Sequence, residues 1–430
     1  MTPVYGIVSD DFTGGLLVAS YFEEAGLECP VYFDPAEAIR NPPTAPITVI
    51  AGRMRLIPPD EARDDLTDAL DALDGLGCET VAYKACASFD STEEGNIGIA
   101  ADLLADRYEQ TPLLISAGFP EFGATVHQGY LFYRGILVNE SVKRFDPVTP
   151  MPDPNLVRFL SHQTRTPLGL VSHLDLVQGE TAARAALGRT VDAGHRHVLL
   201  DCSDDADIRQ STVLAQGVRA FVASDPLVIS FGLARTAGHE GTATPPRHAE
   251  GPAVVLAGSV GPVAEEQLAV FAESHPVLPL RLLDDMTETA QIASALEWAA
   301  GHIGKRPLAI TTCASDADVR EAQRRLGRLE AARKAERLLS GIAQGLHKDG
   351  ARRFVVVGGE TSGAVVAALK IARVRPLARG PLGGGFCVAE GDDPISFFLK
   401  SGKLGAPDVL LRAIDSMRNE DSAKLKRADP

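Results

Sequence analysis

Apolar and polar residues alternate along the 430-residue chain in two rhythms. Short unbroken apolar runs at Val4–Val8, Ile47–Ile50, Thr80–Tyr83 and Leu113–Ala117 have the length and composition of buried strands. Between them lie stretches with apolar residues at helical spacing. Leu16–Ala25 is one, stopped by Gly26, and Asp60–Leu73 is another, with Leu66, Ala69, Leu70 and Leu73 on one face. Strands separated by helices predict an α/β protein built on mostly parallel sheets flanked by helices.

The rhythm lapses once. Thr236–Pro252, "TAGHEGTATPPRHAEGP", has no periodicity and is rich in Gly, Pro and Thr, which marks a linker. Beyond it "AVVLAGS" restarts a strand and turn, and Leu308–Thr311 and Phe354–Val357 read as further strands. The expected division is residues 1–235, a linker at 236–252, residues 253–417 and a charged, frayed tail at 418–430. Two domains also suit the length.

Composition narrows the class. A content of 45% hydrophobic and 23% charged residues is that of a globular protein. With no apolar run of about 18 residues, no membrane span is expected. The start, Met1-Thr2-Pro3-Val4, lacks the basic segment of a signal peptide. Six cysteines at 29, 78, 86, 202, 313 and 387 show no CxxC spacing. Reduced thiols in a cytoplasmic protein are the expectation. A net charge of −15 disfavours nucleic acid and anionic membranes as partners. An anionic small substrate would therefore have to be met by a local cluster of donors.

Three stretches carry candidate chemistry. "VVVGGETSGAVVAALK" (355–370) reads as strand, glycine turn and helix start, where free amides favour an anion at Gly358, Gly359, Glu360 and Thr361. A plain tight turn, with Glu360 merely well placed on the helix dipole, would look similar. "SDDFTGG" (9–15) puts Asp10 and Asp11 at a strand end facing a helix start, as base or hydroxyl ligand. Its bland reading is a cap supplied by Asp11 or Thr13, with Asp10 solvated. "YKACASFDSTEEGNIG" (83–98) surrounds Lys84 with Asp90, Ser91, Thr92 and Asn96, which suits a polyhydroxylated anion. A capped loop with a solvated lysine is the alternative. His195-x-His197 lacks clustered partners, and no metal is expected there. The Arg-rich stretch 320–339, with interleaved glutamates and Leu326, Leu329 and Leu338 at roughly helical spacing, reads as an amphipathic helix with a solvated charged face.

Nearly the whole chain resembles the four-carbon acid sugar kinases. The resemblance rests on the order and spacing of "VSDDFTGG" (8–15), "RMRLIPPDEA" (53–62), "KACASFDSTEEGNIG" (84–98), "FPEFGATVHQG" (119–129), "PVTPMPDPNLVRFL" (147–160), "AGSVGPVAEEQ" (257–267), "VVGGETSGAVV" (356–366) and "FFLKSGKLGAPDVLLRAI" (397–414). It implies an N-terminal acid-sugar domain, a C-terminal ATP domain and a cleft between them that closes to exclude water. It further implies transfer of the γ-phosphoryl group to a terminal sugar hydroxyl, with ATP and Mg²⁺ as cofactors. The ATP phosphates would lie at Gly358–Thr361, with Ser259 and Gly402 also near the nucleotide, although Ser259 could cap a helix and Gly402 could form a plain turn. Asp10 or Asp11 would accept the hydroxyl proton, with Asp90 as rival. Arg55, Lys84, Ser91 and Thr92 would hold the sugar, and Asp90 and Asn96 belong to the same substrate block. The partners implied are the acid sugar and ATP, with a homodimer left open as the assembly.

The chain departs from the family pattern at Ala124, where an arginine is usual, at Asp146, where a histidine is usual, and at Gly15, where alanine is usual. These changes bear on the substrate. A four-carbon 3-oxo-tetronate, threonate or erythronate is the first expectation, and a branched oxo-acid such as 3-oxo-isoapionate the second. A non-catalytic acid-sugar or nucleotide sensor is the alternative from another class, opposed by the intact "DD" loop and nucleotide blocks. The sequence holds no GxxxxGK[ST] and no GxGxxG after its first strand, so neither the common phosphate loop nor an NAD fingerprint accounts for it.

Overall fold

The computed structural model describes residues 3–146, 149–239, 244–258, 261–312, 316–402 and 404–418. The chain divides into two compact units, Met1–Ala243 and Thr244–Pro430.

In the first unit, strands β1 (Tyr5–Ser9), β2 (Val31–Tyr32), β3 (Ile47–Ala51), β4 (Thr80–Lys84) and β5 (Leu113–Ser116) follow the apolar runs. Next come β6 (Ala124–His127), β7 (Tyr130–Tyr133), β8 (Ile136–Leu137), β9 (Leu168–Val171), β10 (His197–Leu200) and β11 (Ala220–Ala223). All but β6–β8 form one parallel sheet in the order β2-β3-β1-β4-β11-β5-β10-β9. The strands are buried, with Val8, Val81, Tyr83 and Ile115 packed against Leu66, Leu70 and Leu73 of the helix Pro59–Gly75 and against Leu104 of the helix Ile97–Arg107. Strands β6–β8 form a small antiparallel sheet that the parallel alternation did not foretell.

The first helix runs from Phe12 to Glu24, four residues earlier than the apolar spacing suggests. The polar look of Thr13, Gly14 and Gly15 hides its first turn, which Asp11 caps by accepting the Gly14 amide at 2.7 Å. Gly15 packs tightly there: a Cβ would stand 2.9 Å from the Cβ of Ala51.

The second unit contains β12 (Ala253–Ala257), β13 (Val277–Pro279), β14 (Leu308–Thr311), β15 (Arg353–Val357), β16 (Arg373–Pro376), β17 (Phe386–Ala389) and β18 (Ile395–Lys400). The order β13-β14-β12-β15-β18 is parallel, and β17 and β16 extend it antiparallel. Val255, Val355 and Phe398 face Leu268 and Phe271 of the helix Pro262–Ala272 and Leu410 and Ala413 of the helix Val409–Ser416.

Residues 244–252, part of the expected linker 236–252, make bonds to this unit. Arg375 donates to the Thr244 carbonyl, and the Ala249 amide donates to Ser396 Oγ on β18 at 2.7 Å. The Arg-rich stretch is not one helix but parts of two, Asp316–Leu326 and Arg328–Lys348. Gly327 breaks it by taking φ +84°, outside the helical range. The tail from 419 lies outside the described residues. No helix among the described residues is long and apolar enough to cross a membrane.

Candidate active site

Ligands of open parallel sheets bind at the carboxyl ends of the strands, because helix amides and loop side chains converge there. In the first unit that edge carries a dense charge cluster. Asp10 follows β1, Arg55 stands in the turn after β3, Lys84 ends β4, and Asp225 opens the helix Asp225–Arg235 after β11. Arg55 grips Asp10 with two parallel bonds, Nε to Oδ2 at 2.9 Å and Nη2 to Oδ1 at 3.0 Å. The same Nη2 lies 3.0 Å from Asp11 Oδ2. Backbone bonds set the reach: the Asp10 amide donates to the Lys84 carbonyl, and the Arg55 amide donates to the Asp10 carbonyl.

The two adjacent aspartates thereby acquire different work. The Asp10 side chain is 1% exposed and spends both oxygens on Arg55, whereas that of Asp11 is 25% exposed. Burial works against the charge on Asp11. Arg55, Lys84, the Gly14 amide and the Thr13 hydroxyl outweigh it and hold Asp11 below the usual carboxylate range. Asp11 is thus an ionised acceptor that a ligand can reach.

Lys84 and Asp225 are buried and form an ion pair at 3.5 Å. Burial would discharge Lys84, but Asp225, Asp10 and Asp11 hold its proton more firmly than usual. The ammonium can approach only because residue 14 is glycine. A Cβ there would lie 2.3 Å from Lys84 Nζ and 2.4 Å from Asp11 Oδ1. Lys84→Met should therefore destabilise the protein by about 3 kcal/mol, the lower end of the cost of breaking a buried pair, because Asp225 can take up a proton in response. Urea denaturation checks this, and an unchanged midpoint would show the pair to be dispensable.

The loop after β4 adds a second ion pair. Lys143, in the short 3-10 turn Val142–Phe145, donates to both oxygens of Asp90 at 2.7 and 2.6 Å, and Ser88 Oγ donates to the same carboxylate at 2.8 Å. Cys86 stands beside both charge groups. Burial, with Asp90 adding to it, raises its thiol above the usual value and keeps it neutral.

Several expected ligands also make bonds within the scaffold. Asn96 donates its amide to the carbonyls of Met54 and Ile57, holding the turn that carries Arg55. Ser91 Oγ and the Thr92 carbonyl both accept from Gln163 Nε2. Ala124 is buried in the small antiparallel sheet, and Asp146 accepts the Thr149 amide. His197 Nε2 pairs with Asp102 at 2.9 Å, away from the strand ends that carry the cluster. Asp225, Lys143 and Gln163 were not anticipated. For Asp225 a signal existed: Ser224-Asp225-Pro226 after an apolar run repeats the strand-end, acid, helix-start pattern of Ser9-Asp10-Asp11. Nothing local to Lys143 or Gln163 announces them.

In the second unit three glycine-bearing turns stand side by side. Gly258, Gly358 and Gly402 follow the adjacent parallel strands β12, β15 and β18. Gly358 takes φ +121° and donates its amide to the Lys400 carbonyl at 2.8 Å. The helix Gly359–Ala368 starts there, with Gly359 and Glu360 exposed and Thr361 buried. A Cβ on Gly359 would meet nothing within 4 Å, so space lies open before the first-turn amides. Room of this kind, beside amides without helical acceptors, fits a phosphate group. Ser259 lies outside the described residues. Among the described residues no group of three or more His, Cys, Asp or Glu side chains converges as a ready-made metal site.

Residues 5–230 match the family model of a sugar-binding N-terminal domain, and residues 254–410 that of a nucleotide-binding C-terminal domain. The chain is 36% identical to a 3-oxo-tetronate kinase of Methylobacterium radiotolerans, covering 97% of this chain and 100% of the relative. It is 34% identical to a 3-oxo-tetronate kinase of Burkholderia multivorans, covering 96% and 98%. A Salmonella typhimurium crystal structure, provisionally named a tRNA synthase, superposes with a TM-score of 0.80 at 30% identity, covering 96% of this chain and 99% of that one. The carboxylate–cation cluster on one sheet edge and the glycine turns on another thus sit in units that match sugar- and nucleotide-binding domains, and the chain belongs to the four-carbon acid sugar kinase family, a family of carbohydrate kinases.

Proposed function

We propose that the protein transfers the γ-phosphoryl group of ATP to the terminal hydroxyl of a four-carbon acid sugar of the 3-oxo-tetronate type. The observation that carries this reading is the reachable, ionised Asp11 beside Arg55 and Lys84. Arg55, whose side chain is 21% exposed, offers positive charge to a sugar carboxylate while Lys84 stays buried against Asp225, and Asp11 accepts a hydrogen bond from the hydroxyl. Because a loose phosphoryl-transfer transition state asks little of a base, orienting that hydroxyl is the main task of Asp11, and its low basicity is no obstacle. The turns at Gly258, Gly358–Thr361 and Gly402 would hold the nucleotide. Mg²⁺ would neutralise phosphate charge and is expected to arrive with the nucleotide; no protein ligand is assigned to it.

The substrate identity is supported by the names of the relatives and by the chemistry of the cluster. A coupled ADP-release assay across linear tetronates, 3-oxo-tetronates and the branched 3-oxo-isoapionate tests it. The 3-oxo-tetronate should give the highest kcat/KM. A tenfold or greater preference for the branched acid, equivalent to about 1.4 kcal/mol, would overturn the substrate. Release of ADP that no acid sugar stimulates would overturn the kinase reading itself.

A further inference from the structure

The chain buries two lysine side chains, Lys84 and Lys400, among the described residues. They are treated in opposite ways. Lys84 faces Asp225, Asp10 and Asp11. Lys400, the last residue of β18, is only 7% exposed and has no carboxylate partner among the described residues. Its ammonium donates to Gln267 Oε1 at 2.9 Å. That amide is fixed in turn, because Gln267 Nε2 donates to the carbonyls of Leu404, Gly405 and Ala406. Charged residues do stand on the surrounding elements: Glu265 and Glu266, Arg353, Glu360, Asp408 and Arg412. None of them offsets the buried charge. Among the described residues burial is what acts on Lys400, and it lowers its proton affinity to about 8.

An uncompensated buried cation costs stability, and a neutral amide repays little of that cost. The position of Lys400 suggests what repays it. Lys400 pairs in register with Val357, its carbonyl accepts the Gly358 amide, and the turn after it contains Gly402. We propose that Lys400 is the cation that compensates the phosphates of the bound nucleotide, held in place by Gln267, which is itself fastened to the carbonyls of residues 404–406. This inference rests on the nucleotide reading above and adds the residue that answers the ligand's charge. In the free protein the lysine is a stored electrostatic cost, which the arriving polyanion relieves.

Linkage gives the sign of the effect. The anion favours charged Lys400, so nucleotide binding raises its proton affinity and takes up a proton near and above pH 8. Affinity should be level below pH 8 and fall towards tenfold per pH unit above it. The free protein behaves oppositely. Its lysine is depressed relative to the unfolded chain, so Lys400 costs stability below about pH 8, and that cost fades as pH rises towards the ordinary lysine value of about 10.4.

Calorimetry of MgADP binding to the full chain, in buffers of different ionisation enthalpy, tests this. At pH 8.5 the nucleotide phosphates are already ionised, and the wild type should take up about half a proton or more. Lys400→Met should lose that uptake and weaken MgADP binding about 30-fold or more, while the Tm of the free protein stays the same or rises. Lys400→Arg should recover most of the affinity. A merely structural lysine would give the reverse: a lower Tm with unchanged affinity, which overturns the proposal. So does wild-type binding without proton uptake, a measurement that needs no variant. A wild type that binds no MgADP at any pH would instead remove the nucleotide reading on which the proposal stands.

Discussion

Asparagine in place of Asp11 is expected to lower kcat by about 10²–10⁴-fold, the usual cost of losing a group that manages a reacting proton. The fold should survive, because Asn caps a helix about as well as Asp and can still accept the Gly14 amide. Stability and catalysis therefore separate in degree at this position: Tm falls modestly, because Asn gives up the ion pair with Arg55, while turnover collapses. Asp10→Asn should behave differently. It removes half of a buried bidentate grip on Arg55, so its loss should appear as lower stability and a higher KM for the sugar. Steady-state kinetics and thermal melts on both variants check the assignment. Wild-type kcat in Asp11→Asn would move the hydroxyl-orienting role elsewhere. Asp90 is then the remaining acid of the motif, although Lys143 and Ser88 already occupy its oxygens.

Gly359→Asp is expected to abolish nucleotide binding in a protein that still folds. A Cβ at 359 enters open space, and an acid in the first turn of the helix Gly359–Ala368 is favoured by the helix dipole. What it repels is a phosphate. Two like charges about 4 Å apart cost about 4 kcal/mol at an effective dielectric of 20, which is roughly a thousandfold in affinity. Titration of MgADP into the variant should give no measurable heat, with an unfolding transition like that of the wild type. Unchanged affinity would place the phosphates elsewhere. Gly358→Ala is the uninformative neighbour, because φ +121° strains any side chain and would confuse folding with binding.

The α/β class, most strand positions and the place of the main charged loops were legible in the sequence because they are local properties. An apolar run of four or five residues ending in Ser-Asp or Gly-Gly must end a strand, and the order of the motifs along the chain carried the family. The short and antiparallel strands β2, β6–β8, β16 and β17 were not legible. Their residues lack a long apolar run, and pairing with distant partners is what makes them strands. The contacts made by residues 244–252 were illegible for a related reason. Gly, Pro and Thr signal irregular backbone, but they do not say whether irregular backbone packs, as Ala249 does on Ser396.

Division of labour among the site residues was decided by the tertiary structure alone. Asp10 and Asp11 are indistinguishable as letters. The turn after β3 brings Arg55 across to occupy one and leave the other reachable. Asn96 reads as a ligand in the sequence, and the fold places two backbone carbonyls against its amide while its Oδ1 has no partner among the described residues. Asp225 meets Lys84 across 141 positions, and Lys143 meets Asp90 across 53, because neighbouring elements of the folded unit bring distant loops together. Sequence determines which groups exist and which secondary structure presents them. Which charges are paired, which are buried, and which remain for a ligand depends on distances between remote segments, and in this chain that contrast separates Lys84, enclosed by acids, from Lys400, left without one.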